Sequence, residues 1–181
     1  MHGGRSSIGT VDTFDLFFKN INPLIFPEAE LFTNISIIGN VTVTYDSGFA
    51  NKQITITLPT SISTIQHRIF TGCDFAQSQL VIPANAADIN SSGGFKDITS
   101  LSEILFLAER YTNFKGYNLF DNTSANIVFP NAKEVPVPNY TLGDFKGYVY
   151  VPDALLNSWK ATNNWSAIAS RIKPLSEWTT T

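Results

Sequence analysis

The hexapeptide YVYVPD, from Tyr148 to Asp153, decides how this chain is organised. It has the character of an apolar strand that ends at a proline and is followed by a turn. The same phrase occurs upstream as ITITLPT (54–60), QLVIPA (79–84) and NIVFPN (126–131), and ILFLAE (104–109) carries alanine in place of the proline. The residues that mark the strand ends are Pro59, Pro83, Ala108, Pro130 and Pro152, with spacings of 24, 25, 22 and 22 residues. A repeat of roughly 20–50 residues indicates a solenoid.

A second apolar position recurs 11–13 residues after each of these markers. The residues at this position are Phe70, Phe95, Phe120, Leu142 and Trp165. One side chain from the strand side and one from the far side would meet in the middle of each repeat, and like residues would stack from repeat to repeat. We therefore predict a β-rich repeat solenoid with short parallel strands and an internal ladder of phenylalanines.

The pattern divides the chain into three parts. Residues 1–22 are predicted to form a flexible, Gly/Ser-rich arm that runs into an N-terminal lid or anchor. Residues 23–152 form the solenoid, which begins irregularly, with strands expected at Val41–Tyr45 and near Ile35–Ile38. For the apolar stretch around Phe14–Phe18, a short capped helix is one option.

Residues 153–181 are predicted to be a small helical cap. Asp153 is a candidate N-cap for a helix from about Ala154 to Ala161, and Ser166 is a candidate cap for a second helical turn that stops before Pro174. A cap of this kind would cover the open end of the solenoid core.

Composition excludes several classes of function. The net charge is −3 and only 15% of the residues are charged, so no basic surface for nucleic acid or anionic lipid is expected. No run of about 18 apolar residues exists, so no membrane insertion is expected. The N-terminus lacks an apolar leader. Either a signal was removed, or export follows another route, or the protein is released by lysis, as virion proteins are.

One unit carries a resemblance to a known family. In ITITLPTSISTIQHRIFTGCDF (54–75), the residues on pattern positions are Ile56, Leu58, Pro59, Ile62, Ile65, Phe70 and Cys73. This unit resembles the BspA-like class of leucine-rich repeats, most strongly over residues 53–75, and the closing stretch 148–178 is similar to the C-terminal unit of such proteins. The resemblance implies a right-handed solenoid and a surface adhesin, a recognition module or a phage virion protein.

No catalytic, metal or cofactor site is predicted. His67 is expected on the surface, and Cys73 occupies the position of a small buried hydrophobe. The carboxylate pairs Asp12/Asp15, Glu28/Glu30 and Asp88/Asp97 lack the cleft that a glycosidase needs. A carbohydrate-active enzyme is therefore the weakest of the functional readings.

Strand alternation defines a candidate binding face. If the residues one and three positions before each marker point inward, the residues two and four positions before it point outward. The outward set is unusually apolar and comprises Thr57, Val81, Ile104, Phe106, Val128, Tyr148 and Tyr150. An apolar face of this length indicates a partner: a protein, a cell-surface glycan or a second copy of the chain. Cover by the N-terminal segment is an equally open alternative.

These observations lead to a non-enzymatic binding or structural protein. The expectation is a fibre or decoration subunit of a phage virion. The alternative is a secreted or cell-surface adhesin of a gut-type bacterium.

Overall fold

A computed structural model describes residues 13–16, 20–21, 34–37, 42–43, 53–58, 60, 62–66 and 70–179. The fold is β-rich, with parallel sheets and few helices. The strands are β1 (Thr13–Leu16), β2 (Asn20–Ile21), β3 (Asn34–Ile37), β4 (Thr42–Val43), β5 (Gln53–Thr57), β6 (Thr64–Gln66), β7 (Asp74–Phe75), β8 (Gln79–Ile82), β9 (Asp88–Asn90), β10 (Glu103–Phe106), β11 (Asn113–Lys115), β12 (Asn126–Val128), β13 (Val149–Val151) and β14 (Ile172–Pro174).

The described strands form parallel sheets. A five-stranded sheet has the order β14-β13-β12-β10-β8, and a three-stranded sheet has the order β11-β9-β6. Towards the N-terminus, a four-stranded sheet has the order β1-β3-β5-β7, and β2 pairs with β4. Side-chain hydrogen bonds also link neighbouring strands. The side-chain oxygen of Asn126 accepts the N–H of Tyr148, 22 residues later, and the side chain of Gln79 donates to Glu103, 24 residues later.

The predicted ladder of phenylalanines is confirmed. The Phe70 and Phe95 ring centroids lie 5.6 Å apart, as do those of Phe95 and Phe120, and all three rings are buried. The row continues at Leu142, whose carbonyl accepts the N–H of Phe120 at 2.9 Å, and Trp165 is fully buried. Burying an aromatic side chain removes a large apolar area from water, so this stack is a major part of the core.

Glycines allow successive loops to touch. At Gly143, where φ is +86°, an added Cβ would run into the Asp121 side chain and backbone. At Gly147, an added Cβ would collide with the carbonyl of Ala125. A larger residue at either position would push neighbouring loops apart.

The C-terminal region begins with a 3-10 helix at Asp153–Leu155 and continues into α1 (Leu156–Ala161). The predicted helix is confirmed in position, with Trp159 as its buried residue. Further 3-10 helices span Ser166–Arg171 and Leu175–Glu177, on either side of β14. Within the described part of the chain, no helix is long and apolar enough to cross a membrane.

Both capping predictions are wrong. No side-chain cap bond exists at the start of either helical segment. The Asp153 carboxylate is already occupied, because its Oδ1 accepts the N–H of Ser176 at 3.0 Å. Ser166 is itself the first residue of its 3-10 helix, which follows Trp165.

At the N-terminal end, the apolar stretch considered as a helix contains a strand instead, β1, which pairs with β3. The expected strands near Ile35–Ile38 and within Val41–Tyr45 are confirmed as β3 and β4. The predicted arm at residues 1–10 and His67 lie outside the described residues.

Candidate binding face

The outer face of the five-stranded sheet is the surface on which the binding prediction rests. In β8, Leu80 and Ile82 are buried and Val81 is 36% exposed. In β13, Val149 and Val151 are buried, and Tyr150 between them is half-buried. The predicted alternation is therefore confirmed in these two strands.

In β10 the predicted orientation is wrong, and Ile104 and Phe106 point into the core. Both are fully buried, and they lie opposite Leu80 and Ile82 in the register with β8. The Phe106 ring centroid lies 5.1 Å from that of Phe129, an interior contact. The cause is a shift of one residue, which turns every side chain of a strand to the other face.

The half-buried Leu105 and Leu107 therefore take the outward positions that Ile104 and Phe106 were expected to hold. Because all four residues of the run ILFL are apolar, alternation within the run could not fix this register.

Val128 points outward but is buried. It lies opposite Leu105 on one side and Tyr150 on the other, both members of the outward row. Its side chain is nevertheless inaccessible to solvent. A part of the chain must therefore cover the outer face at β12.

The C-terminal end of the chain reaches back onto this face. The indole N–H of Trp178 donates to Oε1 of Glu103 at 2.8 Å. Trp178 follows β14, which is one edge of the sheet, and Glu103 lies on β10, three strands further in. At about 4.8 Å per strand, Glu103 lies roughly 14 Å from β14 across the sheet, a span that the Trp178 side chain helps to bridge. This contact is made by the C-terminal segment, and the alternative of cover by the N-terminal segment stays a prediction.

Glu103 is the residue that sequence reasoning missed. It is 1% exposed, and its Oε2 accepts the side-chain N–H of Gln79 at 2.9 Å. The signal was present in the alignment of strands, because Gln79, Glu103 and Asn126 lie side by side in register.

A groove remains open at the other end of the face. It has a volume of about 430 Å³ and lies beside β8, the edge strand of the sheet. Its lining is apolar with a few neutral polar groups and consists of Thr57, Leu58, Thr60, Gln77, Gln79, Val81, Pro83, Ala84, Asn85 and Leu107. Among the residues that the structure describes, no charged side chain lines it.

Tyr150 lies on β13, and Tyr148 lies just before it. Their ring centroids are 6.5 Å apart. Tyr148 is 42% exposed, and Nζ of Lys173 lies 5.0 Å from its ring centroid. Lys173 also pairs with Glu177 at 3.1 Å, and this hydrogen bond raises the pKa of Lys173. The exposed ring of Tyr148 thus already has a cation over one face.

A second aromatic pair lies away from this sheet. Tyr117 and Tyr140 are 59% and 53% exposed, and their ring centroids lie 6.2 Å apart. Beside them, the Thr141 hydroxyl donates to Oδ1 of Asn118 at 3.0 Å. The proline-based repeat did not single out these tyrosines, because they lie in loops between the marked strands.

The residues considered for catalysis have structural surroundings. Cys73 is buried, and burial raises the pKa of its thiol to about 12, so it is protonated at neutral pH. Oδ1 of Asp97 accepts the side-chain N–H of Asn122 at 2.9 Å. In the part of the chain that the structure describes, no three His, Cys, Asp or Glu side chains group as a metal site.

Comparison of the chain with protein-family models, with curated proteins and with solved structures gave no match.

Proposed function

We propose that this protein is a non-enzymatic binding or structural module that takes an uncharged, apolar segment of a partner protein into the groove beside β8. The observation that carries the proposal is the groove itself, an apolar depression of about 430 Å³ on an otherwise ordered sheet face. Burial of apolar surface supplies most of the free energy of such contacts.

The lining supports a protein partner. Aliphatic side chains such as Val81 and Leu107 favour an apolar side chain as the occupant, and the described lining residues, none of them charged, give a charged ligand no counter-ion.

We further propose that the fold is a repeat solenoid of the BspA-like kind. The motif of an apolar strand followed by proline falls on β8, β12 and β13, which lie with β10 in one parallel sheet. Phe70, Phe95 and Phe120 stack behind this sheet. The setting that the resemblance favours is a phage virion, with a bacterial cell surface as the alternative. Detection of the chain in purified virions, or on intact cells, separates the two.

The neutral fluorescent probe N-phenyl-1-naphthylamine tests the groove. The intact protein should enhance its emission with a saturable curve. Val81→Asp should weaken probe binding at least roughly tenfold, because it places a charge among apolar walls. The matched control, Tyr117→Asp, alters an exposed residue elsewhere and should bind as the wild type does.

Two outcomes would contradict the proposal: no saturable probe binding by the wild type, or equal binding by both variants. The solution mass of the wild type and of Val81→Asp should be measured in parallel. If the wild type is a dimer and Val81→Asp is a monomer, the occupant of the groove is a second copy of this chain rather than a different protein.

A second candidate function, recognition of a neutral cell-surface glycan, rests on the Tyr117–Tyr140 pair. Exposed aromatic rings present apolar faces on which a sugar ring can pack, and the amide of Asn118 and the hydroxyl of Thr141 lie beside them. Tyr140→Ala should abolish binding to a neutral glycan on an array, whereas Val81→Asp should leave it unchanged.

A further inference from the structure

We infer that residues Leu175–Thr179 form a strap that seals the centre of the outer sheet face, and that Glu103 is the positioning residue that holds the strap and orients Gln79 at the rim of the groove. The part that concerns Gln79 rests on the proposed function of the groove. The part that concerns the strap stands without it.

The first argument is the burial of Glu103. A carboxylate with 1% exposure is costly unless donors are directed at it, and both of its bonded partners are neutral. One donor is the indole N–H of Trp178, which is 75 residues away in sequence. A buried acid with a distant indole as its donor indicates a position built to hold the strap.

The second argument is that the strap is fixed along its length. The N–H of Ser176 donates to Oδ1 of Asp153 at 3.0 Å, and Glu177 pairs with Lys173 at 3.1 Å. The N–H of Trp178 donates to the carbonyl of Leu175 at 2.9 Å, which closes a turn. The strap therefore has a defined conformation on the sheet, and the burial of Val128 beneath its path follows from it.

The third argument links the strap to the groove. Gln79 presents its side-chain NH₂ group to Oε2 of Glu103, at 2.9 Å. The carbonyl oxygen of the Gln79 side chain is then directed away from Glu103. Since Gln79 lines the groove, this oxygen is a fixed acceptor at its rim. The partner segment should therefore bring one N–H or O–H donor beside its apolar group.

Hydrogen exchange of the indole N–H groups, followed by NMR on the whole chain, tests the strap. In the wild type the Trp178 indole should exchange more slowly than a free indole. Trp165, whose indole donates to the carbonyl of Pro136 at 2.7 Å, is the internal reference. In Glu103→Leu, which removes the acceptor, exchange at Trp178 should rise roughly tenfold or more, with Trp165 unchanged.

Glu103→Gln separates positioning from simple stabilisation. A glutamine still accepts from Trp178, so slow exchange at Trp178 should be restored. Its NH₂ group then faces Gln79, whose amide must turn over and present a donor to the groove. N-phenyl-1-naphthylamine, which carries one N–H, should bind Glu103→Gln several-fold more weakly than the wild type.

The strap is overturned if the Trp178 indole of the wild type exchanges as fast as a free indole, a result that requires no variant. The role of Gln79 is overturned if Glu103→Gln binds the probe as tightly as the wild type. If the wild type binds no probe, the proposed function fails, while the exchange rates still decide on the strap.

Discussion

Val81 and Val128 occupy the same place in two copies of one phrase, QLVIP and NIVFP, yet they differ completely in exposure. Each lies two residues before a proline on an outward row of the same sheet. Val81 is 36% exposed at the groove, whereas Val128 is inaccessible. Alternation within a strand therefore decides the face of a side chain, but not what lies on that face.

The difference originates outside the repeats. Trp178 of the C-terminal segment reaches back from β14 to Glu103 on β10, whereas the groove beside β8 is open. The outer face consequently has a covered half, around Glu103 and Val128, and an open half, around Val81 and Leu107. The open half contains the groove, whereas the exposed Tyr148 at β13 has Lys173 over its ring.

The largest expected effect separates a core residue from a face residue. Phe106→Ala should lower the free energy of unfolding by about 3–5 kcal/mol, because its ring packs on Phe129 and Phe95 in the core. Val81→Ala should cost at most about 1 kcal/mol. Urea denaturation measures both. Similar losses for the two variants would mean that Phe106 lies on the surface after all.

A smaller effect compares the same change in the two halves of the face. Val128→Thr places a hydroxyl in a covered site and should cost about 1–3 kcal/mol. Val81→Thr should stay within about 0.5 kcal/mol of the wild type, because water reaches the new hydroxyl. Thermal unfolding of the pair is the measurement. Equal stability of the two variants would remove the distinction between covered and open halves.

The sequence was sufficient for the features that repeat. The spacing of the prolines located the parallel strands, and the second apolar position located the stack of Phe70, Phe95 and Phe120. These features follow from local pattern, because each strand and each aromatic position recurs with the same neighbours.

The features that escaped prediction depend on single contacts between distant residues. The register of β10 is set by pairing with β8 and β12, which an all-apolar run cannot reveal. Asp153 bonds to Ser176 rather than capping its own helix, because the C-terminal segment returns to it. The contact between Trp178 and Glu103 joins residues 75 positions apart, so the periodicity of the sequence could not indicate it.

The central claim is that the outer face is divided into a covered and an open half. Its most direct test is the relaxation that a soluble paramagnetic probe causes at the methyl groups of Val81 and Val128, measured by NMR. In the wild type the signals of Val81 should broaden strongly and those of Val128 should not, whereas in Trp178→Ala both should broaden. Equal broadening of the two valines in the wild type would contradict the account.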